Sequence, residues 1–144
     1  MNVRIQDITS LLGRIAVGVV FLAHGLDKWD KGVSGVSAMV EGMGIPLPTL
    51  TALFLIVIET VGAVAFIVGA ALPVLGVLFA VDMIGAIFYV HIDGGLTGDG
   101  GYELVLVLGA AALALGFAGG RLSLDHLILG RRRARRGSEA PANA

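Results

Sequence analysis

Apolar positions along this chain fall into four long runs, each interrupted by few ionisable side chains. They cover residues 8–29, about 50–71, 74–91 and 102–118. A bilayer hydrocarbon core needs about 20 mainly apolar residues per helix. The pattern therefore predicts an all-α membrane protein, a bundle of four transmembrane helices. Asp7, Thr9 or Ser10 supplies a cap for the first helix, and Trp29 suits an interfacial anchor at its exit. Pro73 follows the second run closely, so the second and third helices should be antiparallel neighbours.

The connections differ in character. Between Gly32 and Pro48, Val33, Val36, Met39, Val40 and Met43 recur at spacings of three and four. That periodicity predicts a short amphipathic helix lying on the membrane surface. Residues 91–101 contain five glycines and read as a loop. Gly119-Gly120 ends the fourth span, and Leu122 to Leu129 carries apolar residues enough for a short interfacial helix. The first 130 residues then form one membrane domain. Residues 131–144 read as a disordered, arginine-rich cytoplasmic tail, because like charges repel and little apolar surface is present.

Composition supports this picture. Of 144 residues, 56% are hydrophobic and 15% charged, against roughly 45–50% and about 25% in soluble domains. There is no cysteine, which excludes disulfides, thiol catalysis and cysteine-held zinc or iron–sulfur clusters built from this chain alone. Six of the ten Lys and Arg residues lie from Arg121 onward. They accompany no folded basic face or aromatic platform, so no nucleic-acid partner is expected. The positive-inside rule holds Arg131 to Arg136 in the cytoplasm, and four spans return the N-terminus there. Lys28 and Lys31 on the outer side are a mild exception. The first apolar run is too long for a cleavable signal peptide and reads as an uncleaved span. Phosphate loops, dinucleotide fingerprints and nucleophile elbows are absent.

Ionisable groups inside apolar runs carry the chemical information, since each is costly in hydrocarbon and tends to face a partner. Arg14 lies about 9 Å into the first span and His24 about 15 Å further on, at 1.5 Å per residue. Glu59 and Asp82 fall at mid-depth in the second and third spans. Arg14, Glu59 and Asp82 are thus candidates for a buried triad, either an ion pair that fixes packing or a proton-relay or ligand-binding centre. Glu103 opens the fourth span, where an acid also suits the helix dipole. His24 and His91 on different helices could hold a haem, but no further haem signal accompanies them. No ligand spacing supports a metal site of His24, His91, Asp93 and Glu103. Small residues four apart, such as Ala65 and Gly69 or Ala112 and Gly116, permit close helix approach within the bundle or in a homo-oligomer.

Several segments in order resemble the DoxX family of small bacterial four-helix membrane proteins. They are Gly13-Arg14, then Phe21-Leu22-Ala23-His24-Gly25-Leu26-Asp27-Lys28; Glu59-Thr60-Val61-Gly62-Ala63; Gly101-Tyr102-Glu103-Leu104; and Gly120-Arg121-Leu122-Ser123-Leu124-Asp125. Ala63 replaces the second glycine usual after the acid. The resemblance extends to about Asp125 and implies a bacterial cytoplasmic membrane location. It also implies a link to membrane redox or oxidative-stress systems, with a quinone as ligand and soluble redox enzymes as partners. The matched polar positions are Arg14, His24, Glu59, Tyr102 and Glu103. Asp82 joins them from the reading of depth alone. An accessory subunit or scaffold of an oxidoreductase complex is the leading expectation. A small proton or metabolite transporter and a structural anchor are the alternatives.

Overall fold

The computed structural model describes residues 4–128. It is all-helical there, with no strand among the described residues. Four helices form the bundle: α1, Ile5–Gly42; α2, Pro48–Val68; α3, Leu72–Gly94; and α4, Glu103–Ala118. The first three are long and apolar enough to cross a membrane, and α4 is a shorter apolar helix. Valines such as Val19, Val61, Val81 and Val107 cover the outer faces. An apolar exterior of this kind fits lipid rather than water.

Helix α1 is broken at Gly32, whose φ of 67° is left-handed and favours glycine. Residues 33–42 continue as the expected amphipathic helix. Its apolar face does not lie outward on the membrane surface, however. Val36 and Val40 are buried against Ala52 and Ile56 of α2. Burying those side chains against another helix removes more apolar surface from solvent than a one-sided interfacial contact.

Inside the bundle, Phe21 of α1 stacks on Phe79 of α3 at 3.9 Å between ring centroids. Phe66 of α2 meets Phe79 edge-on at 5.4 Å. These three rings tie three helices together. Helices α3 and α4 approach through small residues: a Cβ at Gly76 would lie 2.9 Å from the Ala112 carbonyl oxygen. The Ala112–Gly116 spacing thus serves packing within the bundle.

The end of the bundle at which α1 begins and α4 ends is closed by the segment after α4. Ser10 donates to the Gly119 carbonyl at 2.8 Å, and the Arg121 amide donates to Asp7 at 2.8 Å. The Asp125 carboxylate accepts from the amides of Ala71 and Leu72 at the start of α3. Its own amide donates back to the Gly69 carbonyl. Residues 124–128 form a short helix. The expected disordered tail at 131–144 lies outside the described residues.

Candidate functional site

The opposite, loop-bearing end of the bundle contains a cavity of about 390 Å³. Its walls are largely apolar, from residues such as Phe21, Val40, Phe54 and Leu108. Its polar lining comes chiefly from His24, Lys28, Glu59, Asp82 and His91. Helix 33–42 contributes Met39 and Val40, so the Gly32 break folds this helix over the cavity. The volume falls within the range of small-molecule sites, roughly 300–1,000 Å³.

Glu59 sits where α2 widens into a π-helical turn, Ile58–Gly62. A second π turn, Ile87–His91 in α3, brings Tyr89, Val90 and His91 to the same cavity. Such turns insert a residue into the helical ladder and often accompany functional sites. α1 meets the first of them closely. A Cβ at Gly25 would lie 2.6 Å from the carbonyl carbon and oxygen of Glu59.

Lys28 Nζ donates to Glu59 Oε2 at 2.5 Å, with both side chains largely buried. Asp82 lines the same cavity, within the electrostatic reach of both partners. The cluster therefore holds two acids and one base in low-dielectric surroundings, where interactions between charges are strong. Asp82 Oδ2 is buried with no hydrogen-bond partner. His91 Nδ1 lies 2.8 Å from the Gly100 carbonyl oxygen. A carbonyl only accepts, so Nδ1 carries the proton in this contact.

The triad expected from depth does not form. Glu59 and Asp82 are together, but Arg14 is at the closed end of the bundle. It is fully buried, and Nη2 donates to the Leu122 carbonyl at 2.5 Å. Asp125, not Glu59 or Asp82, is the acid that acts on it. Lys28 takes the place assigned to Arg14. A lysine near the membrane boundary reads as an anchor, and only its contact with α2 reveals another role. Tyr102 and Glu103 do not line the cavity. Their amides donate to the Gly95 and Leu96 carbonyls, closing the glycine-rich loop onto the start of α4. His24 is at the cavity as expected from its position. Among the described residues, His24, His91, Asp93 and Glu103 do not gather into a metal-binding group.

A helical bundle with an apolar exterior and a charged cluster in an internal cavity defines an α-helical integral membrane protein. This chain belongs to the DoxX family, whose family model, described as "DoxX", matches residues 9–92. It is 35% identical over 123 residues to a Bacillus subtilis (strain 168) protein named "Putative oxidoreductase CatD", covering 85% of this chain and 88% of that one. It is 30% identical over 127 residues to "Inner membrane protein YphA" of Escherichia coli (strain K12), covering 83% and 90%. No solved structure matches it.

Proposed function

We propose that this protein is a membrane subunit of a redox system and that its cavity binds a quinone-class headgroup. The observation that carries this reading is an apolar cavity of about 390 Å³ with Lys28, Glu59 and Asp82 clustered on its wall. An aromatic headgroup with an apolar tail needs such a combination of greasy walls and few polar groups. The residues present fit the group. Lys28 and His24 would face its oxygens, and Glu59 and Asp82 would hold protons for it. A bound quinone supplies the electron-carrying chemistry. With no cysteine in the chain, electrons would pass to or from a partner enzyme; the Bacillus relative is itself named as an oxidoreductase. Both termini face the cytoplasm in this reading, because the arginine-rich C-terminal stretch resists translocation.

Full-length protein in lipid nanodiscs should bind a short-chain quinone saturably. Glu59→Gln and Lys28→Met should each weaken binding by about tenfold, a typical effect for a lost charge-assisted hydrogen bond. Unchanged affinity in both folded variants would remove the site assignment. The buried Asp82 favours a second reading, proton conduction. Vesicles containing the protein would then show proton flux that Asp82→Asn abolishes.

A further inference from the structure

Building on the headgroup site proposed above, we infer that the cavity opens sideways into the bilayer between α2 and α3, that the ligand's apolar tail leaves by this opening, and that Gly85 keeps it clear. The ligand is then a quinone with a long hydrocarbon tail, drawn from the membrane and not from water.

Glycine inside a helix is unfavourable relative to alanine. At Gly18, Gly25, Gly76 and Gly109 close packing accounts for it, since a Cβ would lie 2.4, 2.6, 2.9 and 2.9 Å from a neighbouring helix. Gly85 lies inside the regular stretch Leu72–Ala86 of α3 and lines the cavity. A Cβ there would meet nothing beyond its own helix backbone within 4 Å. Space, not packing, surrounds it.

Helix geometry gives the direction of that space. Successive residues turn by about 100°. Met83 faces α4, where it lies against Gly109. Gly85 is two residues further on and so points away from α4, on the side of α3 next to α2. The rim of the cavity is found on the same two helices. Val81 lines the cavity and also belongs to the exposed stripe Val77, Val81, Ile84 and Phe88. Phe54 of α2 lines it too and is exposed beside Val57. Side chains that line a cavity and also face outward mark its edge. Val81 lies about 14 Å along α3 from Leu72, well inside a hydrocarbon core of about 30 Å. The opening therefore meets acyl chains, and its edges are apolar. A second edge, at His24 and Leu104, carries a polar side chain and suits a tail less well.

The test uses the full chain in lipid nanodiscs and one quinone headgroup in two forms, tail-less and long-tailed. Both should bind the unaltered protein. Gly85→Leu places its side chain in open space, so the thermal midpoint should hold and tail-less affinity should stay within about twofold. Affinity for the tailed form should fall at least about tenfold, the scale of overfilling a fitted space. Gly85→Ala should weaken it less. Ile84→Phe, on the lipid face outside the cavity, should not weaken it. A photoreactive group on the first carbons of the tail should label Phe54, Val81 or Tyr89 in the unaltered protein, and excess tail-less headgroup should displace that label. This measurement decides the matter even where Gly85→Leu fails to fold. Equal effects of Gly85→Leu on both forms, labelling centred on His24 and Leu104, or a label that the tail-less headgroup does not displace would overturn the inference and leave the headgroup site standing. Binding of neither form would remove both.

Discussion

Gly25 of α1 lies directly against the peptide of Glu59, at the point where α2 opens into its π turn. A Cβ at position 25 would meet the Glu59 carbonyl carbon and oxygen at 2.6 Å and the Thr60 methyl at 2.8 Å. The glycine lets α1 approach closely enough for Lys28, one helical turn further on, to reach the Glu59 carboxylate. Gly25→Val should therefore force the helices apart. We expect a loss of about 1–3 kcal/mol, the usual range for overpacking a close contact, measured by denaturant unfolding in detergent. The same variant should lose ligand binding at the cavity.

The Lys28–Glu59 pair should behave as a buried ion pair. Lys28→Met leaves the Glu59 carboxylate without its base and should cost roughly 3–5 kcal/mol. Replacing both residues, as in Lys28→Met with Glu59→Leu, should recover most of that stability. A double-mutant cycle on unfolding free energies would check this. A double variant no more stable than the single one would mean that the pair does not act as a unit.

Gly69 ends α2 with a φ of 80° and packs against the buried guanidinium of Arg14. Left-handed backbone costs a residue with a Cβ about 1–2 kcal/mol. A Cβ there would also lie 1.9 Å from Arg14 Nη1. Gly69→Ala should displace Arg14 and loosen the segment that Arg14 holds through Leu122. Limited proteolysis should show faster cleavage after Gly119, and the thermal midpoint should fall.

Asp125 caps the start of α3 from 53 and 54 residues away, through Leu72 and Ala71. Asp125→Ala removes both acceptors and should cost about 0.5–2 kcal/mol, as for other lost N-caps. Ligand binding at the distant cavity should persist, which would separate the closed end of the bundle from its functional end. Hydrogen exchange of the Ala71 and Leu72 amides would report the loss directly.

Four apolar runs determined four helices, because each backbone must satisfy its own hydrogen bonds in hydrocarbon and only a helix does so alone. The broken segment after Lys31 was also legible, from the three-and-four spacing of its apolar residues. The sequence likewise marked Glu59, Asp82 and His24 as polar groups in costly places. It did not determine which of them meet. Depth follows from counting residues at a fixed rise, but the rotation of each helix about its axis does not. A helix apolar on all sides carries little information about which side faces inward. Arg14 has the right depth to join Glu59 and Asp82, yet packing turns it towards Leu122 and Asp125. Lys28 counts as a boundary residue, yet its flexible stem carries the charge onto α2. The π turns at Glu59 and His91 leave no signature in residue type. Tertiary packing alone decided these contacts, through close approach at Gly25, stacked rings at Phe21 and Phe79, and the folding back of residues 119–125.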